Sequence, residues 1–133
     1  MRKGAINRVS EVALWTKDLD EAKRFYLDRL GFEVVEEDVG RNAFLRSGDF
    51  LLVLFDKTNP NTALANAYLE RKGGPRGEVY HLAFQIDPAE LDESAESLRT
   101  DGLEVSGPVE FASGRRSYFV EDPDEHWIEL TDR

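Results

Sequence analysis

Hydrophobic and polar residues follow the same succession of patterns in both halves of the chain. In the first half, an alternating segment around Val12 and Leu14 precedes Asp18 to Leu30, where apolar residues recur at helical spacing. In the second half, residues 81–86 alternate, and about Pro88 to Asp101 has helical spacing. Alternation is typical of a strand, and a period near 3.6 is typical of a helix. Each half is therefore predicted to begin with a strand and a helix.

Each predicted helix ends at a glycine, Gly31 or Gly102, where a left-handed cap costs no Cβ clash. A strand is expected after each cap, and two more strands complete each half. They are predicted at Arg41 to Arg46 and Phe50 to Phe55, and at Arg116 to Val120 and Trp127 to Thr131. The pattern is βαβββ twice, which predicts an α+β fold of two modules.

The chain of 133 residues has the length of one domain. We expect a single domain over 1–133, with module 1 at about 6–56, a linker at 57–78 and module 2 at about 79–132. The linker contains a possible short helix at 63–71 and could fold over a site as a lid.

Composition limits the chemistry. Net charge is −10, so a nucleic-acid partner is not expected, and no apolar run is long enough to cross a bilayer. We therefore expect a cytoplasmic protein. The chain has no cysteine, which excludes disulfides, zinc–thiolate sites and cysteine nucleophiles. Any metal must be held by carboxylate, imidazole or water.

The first strand of each half has one apolar face and one mixed face. The mixed faces carry Glu11, Ala13 and Trp15 in the first half, and His81, Ala83 and Gln85 in the second. Such a face suits the lining of a cleft. In the last strand, Glu129 lies on the face of Trp127, and the internal alignment of Ala43 to Asp56 with Ser117 to Asp132 pairs it with Val53. The two halves are therefore not equivalent.

Several short motifs, taken together and in order, resemble the vicinal oxygen chelate superfamily of glyoxalases, bleomycin and fosfomycin resistance proteins and extradiol dioxygenases. They are Val12-Ala13-Leu14, Asp18-Leu19-Asp20-Glu21-Ala22, Phe25-Tyr26, Leu30-Gly31-Phe32, Tyr80-His81-Leu82-Ala83-Phe84, Asp122-Pro123-Asp124 and Ile128-Glu129-Leu130. The resemblance covers nearly the whole chain. It implies two modules forming a curved mixed sheet around a cleft.

The resemblance also implies metal ligands at Glu11, His81 and Glu129. The fourth ligand place used by glyoxalases falls at Val53, which cannot bind metal, and the first place, often His or Gln, is Glu11 here. One imidazole and two carboxylates suit Mn²⁺, Fe²⁺, Ni²⁺, Co²⁺ or Zn²⁺. For each residue a plainer interpretation exists: a satisfied histidine for His81, an exposed strand residue for Glu11, and a surface ion pair with an arginine for Glu129.

Two functions follow from the resemblance. One is a metal-dependent lyase, isomerase or dioxygenase acting on a small oxygen-chelating substrate, with metal as Lewis acid and Glu129 or Glu11 as catalytic base. The other is a metal-free protein that binds a small molecule such as an antibiotic. A homodimer is expected in either case.

Other residues have open roles. His126 lies in a turn where a side chain usually points to water, and Glu125 occupies a place that favours positive φ, at a cost of about 1 kcal/mol. Arg115 and Arg116 could hold an anionic substrate or balance an acidic surface. Four aromatic residues could pack a substrate or form core: Trp15, Tyr118, Phe119 and Trp127.

Overall fold

A computed structural model describes residues 1–3, 12–60 and 81–133. The chain divides into two compact units, Met1–Pro75 and Arg76–Arg133, and each contains a four-stranded mixed sheet. The predicted α+β fold of two βαβββ modules is confirmed. Glu11, most of the predicted linker and its possible helix at 63–71 lie outside the described residues. No helix in the described part of the chain is long and apolar enough to cross a membrane.

The first unit contains four strands and one helix. They are β1 (Val12–Thr16), α1 (Leu19–Arg24, continued by a π-helical turn at Phe25–Arg29), β2 (Glu33–Asp38), β3 (Asn42–Ser47) and β4 (Phe50–Asp56). The strand order is β1-β4-β3-β2, with β1 parallel to β4 and the other neighbours antiparallel. Helix α1 packs against β3 and β4.

The second unit repeats this arrangement. Its elements are β5 (Leu82–Gln85), α2 (Leu91–Thr100), β6 (Ser106–Glu110), β7 (Arg116–Glu121) and β8 (Trp127–Thr131). The strand order is β5-β8-β7-β6, and again only the first pair is parallel. Strand β8 is therefore an inner strand, hydrogen-bonded on both sides, as β4 is in the first unit.

The predicted helix ends agree with the sequence chemistry. Asp18 caps α1, because its side chain accepts a hydrogen bond from the Glu21 N–H at 3.0 Å. Gly31 and Gly102 follow the two helices with φ of 71° and 89°, as predicted for left-handed caps. The last turn before Gly31 is π-helical rather than α-helical, a distinction that apolar spacing does not predict.

Two element starts in the second unit come later than the sequence pattern suggests. Asp87 accepts a hydrogen bond from the Ala89 N–H, so residues 87–90 form a turn and α2 begins at Leu91 rather than near Pro88. After the cap, the Arg99 guanidinium donates to the carbonyls of Val105 and Gly107. The strand after Gly102 begins at Ser106, between these two acceptors.

The strand register establishes which positions of the two units correspond. Val53 in β4 lies beside Ala13 of β1, and Glu129 in β8 lies beside Ala83 of β5. Val53 and Glu129 therefore occupy equivalent places, as the internal alignment predicts.

The alignment is wrong by one residue in the preceding strand. Ala43 pairs with Leu54, and Tyr118 rather than Ser117 pairs with the equivalent Leu130. The sequence alignment of Ala43 to Asp56 with Ser117 to Asp132 requires a second hairpin turn two residues longer than the first, and the register shows that it is one residue longer.

Strand alternation separates a helix-facing side of the second sheet from the opposite side, which we name the open face because α2 does not cover it. Ile128 and Leu130 lie on the helix-facing side and are buried, as are Leu91, Ala95 and Leu98 of α2. Each fully buried leucine or isoleucine contributes about 1.5–3 kcal/mol. Trp127 and Glu129 point to the opposite side, which is the side predicted to carry the chemistry.

The turn between β7 and β8 contains the one non-glycine residue with positive φ in the described part of the chain. Glu125 has φ of 66°, which confirms the expected left-handed conformation. Asp122 organises the turn, because one of its side-chain oxygens accepts the N–H groups of Asp124 and His126, both at 2.9 Å. A glutamate in this conformation costs about 1–2 kcal/mol relative to the ordinary helical region.

Glu125→Gly should stabilise the protein by about 0.5–1 kcal/mol, because glycine adopts the left-handed region without the Cβ clash. The gain is smaller than the strain, since glycine also adds freedom to the unfolded chain. Thermal unfolding measures it as a rise in Tm of a few degrees. Glu125→Ala keeps the Cβ and should give no such rise; an equal gain in both variants would contradict the strain argument.

Candidate functional site on the open face of the second sheet

The open face of the second sheet centres on Glu129. Glu129 lies in the middle of inner strand β8, with Ala83 beside it on β5 and Phe119 opposite it on β7. The residue is 2% exposed. His81 directly precedes β5 and shares the side of Ala83 by strand alternation. Distant parts of the unit therefore bring a histidine and a buried carboxylate to one place.

The two predicted ligands of this unit are in contact. His81 Nε2 lies 3.2 Å from Glu129 Oε2, and the imidazole is about one-third exposed whereas the carboxylate is buried. Ligand atoms in adjacent octahedral positions, each about 2.1 Å from a metal ion, are about 3.0 Å apart. The observed separation therefore fits two donors of one ion, and it also fits an ion pair if the imidazole is protonated.

The other oxygen of Glu129 has different partners. Ser117 Oγ donates a hydrogen bond to Glu129 Oε1 at 2.7 Å, and an Arg115 guanidinium nitrogen lies 3.3 Å from the same oxygen. The plainer interpretation of Glu129, an ion pair with an arginine, is thus correct about the partner but wrong about the surface. The adjacent Arg115 and Arg116 are recognisable in the sequence as possible anion-binding residues. Nothing in the sequence predicts that Ser117 contacts Glu129.

The third predicted ligand, Glu11, lies outside the described residues. Within residues 12–60 and 81–133, no three His, Asp or Glu side chains gather as a metal-ligand group. The place equivalent to Glu129 in the first unit is Val53, which is completely buried. The described part of the site is therefore one imidazole and one carboxylate, with a serine and an arginine beside them.

The side chains of Arg115 and Arg116 lie on opposite faces of the second sheet. Arg116 makes two hydrogen bonds to Asp92 of α2, at 2.8 and 3.2 Å, and Tyr118 Oη donates to the same carboxylate at 2.7 Å. These bonds, that of Arg116 first, hold the pKa of Asp92 below its usual value. Arg116 and Tyr118 therefore join the helix to the sheet, and only Arg115 lies at the candidate site.

His126 does not simply point to water, as its turn position suggests. Its Nδ1 lies 2.7 Å from Asp122 Oδ2, and the Asp122 side chain is 1% exposed. The hydrogen bond to Asp122 raises the pKa of His126 against the opposing effect of partial burial. Asp122 and His126 are four residues apart in one turn, and this spacing is the feature of the sequence that favours a contact between them.

Aromatic side chains lie beside Glu129 on the open face. Phe119 and Trp127 pack edge to face, with ring centroids 6.3 Å apart, and Trp127 is 43% exposed. Both line a cavity of about 180 Å³ together with residues of the segment after α2. Trp15 packs in the same manner against Phe55 in the first unit. Of the four aromatic candidates, Tyr118 belongs to the core and Phe119 and Trp127 border the site.

Comparison with known families agrees with this architecture. The profile of the Glyoxalase/Bleomycin resistance protein/Dioxygenase superfamily matches residues 8–130. The chain belongs to this superfamily. The resemblance inferred from the short motifs is confirmed, and members of the superfamily include lactoylglutathione lyases and fosfomycin resistance proteins.

Individual superfamily relatives are distant in sequence. The chain is 26% identical to Bacillus subtilis YwkD, over 94% of this chain and 96% of that protein. A lactoylglutathione lyase from Agrobacterium tumefaciens has a TM-score of 0.71 and 27% identity, covering 96% of this chain and 94% of that one. A variant of the Listeria monocytogenes fosfomycin resistance protein FosX, solved with Mn(II) and a dihydroxypropylphosphonic acid, has a TM-score of 0.72 and 22% identity, covering 96% and 90%.

Proposed function

We propose that this superfamily member is a metal-dependent enzyme acting on a small organic substrate that chelates the metal through oxygen. The contact between His81 Nε2 and Glu129 Oε2, at 3.2 Å on the open face of the second sheet, carries the proposal. Two ligand-type atoms from separate strands converge there, one of them on a buried carboxylate. A buried carboxylate requires a cationic or hydrogen-bonding partner, and a divalent ion is a strong one.

Glu11 completes the proposed ligand set with His81 and Glu129. One imidazole and two carboxylates favour Mn²⁺, Fe²⁺, Ni²⁺, Co²⁺ or Zn²⁺ over Ca²⁺, for which all-oxygen sites are usual. Mn²⁺ is the first ion to test, since the FosX variant that shares this fold was solved with it. Ser117 supports the arrangement by donating to the Glu129 oxygen that does not face His81.

The two carboxylates of the proposed site are suited to different roles. A bound metal ion supplies Lewis-acid polarisation of a substrate oxygen. Both oxygens of Glu129 already have partners in the described residues, so Glu129 is better suited to holding the ion than to accepting a proton. We therefore assign Glu11 as the first candidate for general base and Glu129 as the second. We keep three reaction classes as predictions for this site: lyase, isomerase and dioxygenase.

A second function is supported by a specific contact. The Arg115 guanidinium lies 3.3 Å from Glu129, and this ion pair balances the carboxylate without a metal ion. That arrangement favours a metal-free protein that binds a small molecule in the superfamily fold. The predicted homodimer and cytoplasmic location are compatible with either function.

Metal binding to purified protein tests the proposed function. We expect one Mn²⁺ per chain in isothermal titration calorimetry, and His81→Gln should weaken binding by about 100-fold or more, since even the outer partners of metal ligands are worth 10–100-fold. Elemental analysis of protein purified without added metal should identify the resident ion.

The sequence offers a matched control, because it contains two histidines. His126→Gln makes the same substitution outside the proposed ligand set and should leave the affinity within about twofold. Absence of binding by all five ions would reject the metal-dependent function and leave the metal-free one. Equal loss in both histidine variants would mean that binding is not centred on His81.

A further inference from the structure

The cavity beside Trp127 differs in chemistry from the surroundings of Glu129. It has a volume of about 180 Å³, and Trp127, Phe119 and Ser106 form part of its wall. Ser106 at the start of β6 pairs with Phe119 of β7, so the edge strand borders the cavity on one side. A water molecule takes up about 30 Å³ of liquid, and drug-sized pockets have about 300–1,000 Å³. The cavity therefore suits one small chemical group rather than a large ligand.

Two aromatic rings border the cavity from different directions. The planes of Phe119 and Trp127 differ by 76°, and their centroids lie 6.3 Å apart. Trp127 is 43% exposed, which leaves part of the indole surface for a ligand. The face of an aromatic ring carries partial negative charge, and tryptophan attracts cations more strongly than the other aromatic residues. A ligand with a cationic centre is therefore attracted to this wall more strongly than a neutral one of the same shape.

Two carboxylates of the cavity have no cationic partner. Glu104, in the segment between α2 and β6, and Glu121, at the end of β7, both line the cavity and are exposed. In residues 12–60 and 81–133, neither side chain makes an ion pair. Glu129, by contrast, has Arg115 beside it. The negative charge at the cavity is therefore left for a ligand to balance.

Arg99 does not neutralise the cavity, although it bonds to the same segment. Its guanidinium donates to the carbonyls of Val105 and Gly107, and its central carbon lies 5.4 Å from the centre of the Tyr118 ring. Tyr118 faces α2, whereas Phe119 faces the cavity, because successive residues of a strand alternate between its two sides. The charge of Arg99 therefore lies on the helix-facing side of the sheet.

We propose that this cavity binds a small organic cation with a methylated nitrogen, such as a trimethylammonium group. Its methyl groups contact the rings of Phe119 and Trp127, and Glu104 and Glu121 balance its charge. An unmethylated ammonium is strongly hydrated and needs hydrogen-bond acceptors at close range, which an aromatic wall does not provide. The inference goes beyond the proposed metal-dependent reaction, since it requires no metal ligand.

The test compares two probes of the same shape and different charge, choline and 3,3-dimethyl-1-butanol. Each has nine equivalent methyl protons, and the broadening of that NMR signal on titration with the protein measures each affinity. Choline should bind at least about 10-fold more tightly than the alcohol, because the rings and the carboxylates both favour the cation. Trp127→Leu keeps an apolar wall and should lower this preference by about fivefold, whereas Trp127→Phe should keep part of it.

A pair of double variants separates the cavity from the general acidity of the chain. Glu104→Gln with Glu121→Gln should lower the preference for choline by about three- to fivefold and leave the affinity for the alcohol unchanged. Glu90→Gln with Glu93→Gln removes the same charge from exposed positions at the start of α2 and should leave the preference unchanged.

Three results would overturn the inference: equal affinities of the two probes, equal losses in the two double variants, or a full preference for choline in Trp127→Leu. All titrations are made without added metal, so that their outcome does not depend on the proposed metal site.

Discussion

Glu129→Gln should abolish metal binding, weakening the affinity for Mn²⁺ by more than about 100-fold. Glutamine has the size of glutamate and can still accept the hydrogen bond of Ser117, but its neutral amide lacks the charge that a divalent ion requires. The substitution also removes the carboxylate charge from the contacts with His81 and Arg115, whose nitrogens lie 3.2 and 3.3 Å from Glu129. Isothermal titration calorimetry with Mn²⁺ measures the loss, and thermal unfolding checks that the fold is retained.

Glu121→Gln is the matched control for this prediction. Glu121 lies on the neighbouring strand β7, is exposed, and its substitution removes the same unit of negative charge. Its effect on Mn²⁺ affinity should be less than about twofold, since an exposed charge away from the ion is screened by salt. Equal losses in the two variants would indicate that an acidic protein simply attracts cations, and normal binding by Glu129→Gln would remove Glu129 from the ligand set.

Asp122→Ala should destabilise the protein by about 2–4 kcal/mol. Alanine leaves the backbone N–H groups of Asp124 and His126 without their acceptor, and the His126 imidazole without its partner. A fully buried unsatisfied group costs about 1–3 kcal/mol, and water reduces the cost of each of these three part-buried groups to the lower end of that range or below. Urea unfolding followed by circular dichroism measures the difference.

His126→Gln removes only the imidazole from the same network. It should lower the free energy of unfolding by about 1 kcal/mol, because both backbone N–H groups keep Asp122 as their acceptor. It should also change the pH dependence. Since the folded state raises the pKa of His126, the protonated form stabilises the fold below about pH 6.5. That stabilisation is lost as pH rises through the folded pKa, and the variant should lack this part of the profile. An Asp122→Ala loss no larger than that of His126→Gln would show that the backbone donors find other acceptors.

Periodicity and glycine placement predict most of the fold because they reflect local physics. The helix starting at Leu19 after its Asp18 cap and the left-handed Gly31 depend on residues close in sequence. At the start of β6, by contrast, Arg99 bonds to carbonyls six and eight residues away, and such contacts leave no trace in the periodicity. The internal alignment misplaces β7 by one residue for a similar reason. The length of the turn between β7 and β8 follows from the register of their hydrogen bonds, which the sequence does not show.

The candidate site was predictable in part. Strand alternation places His81 and Glu129 on one face, and the contact between them agrees with that placement. Alternation also puts Arg115 and Arg116 on opposite faces, but it does not say which of the two faces the helix. That depends on Asp92, which lies 24 residues before Arg116 and belongs to α2. A turn position alone predicts an exposed His126, whereas its environment is set by Asp122, four residues earlier in the same turn.

The correspondence between Val53 and Glu129 has a consequence for how the protein tolerates change. Both residues lie on inner strands, with an alanine on one neighbouring strand and a phenylalanine on the other. Position 53 should accept apolar residues of similar volume, because only packing constrains it. Position 129 should tolerate almost none of them, although the surrounding scaffold is the same. In a library of substitutions at both positions, side-chain volume should therefore determine which residues are tolerated at position 53. Side-chain charge should determine which are tolerated at position 129.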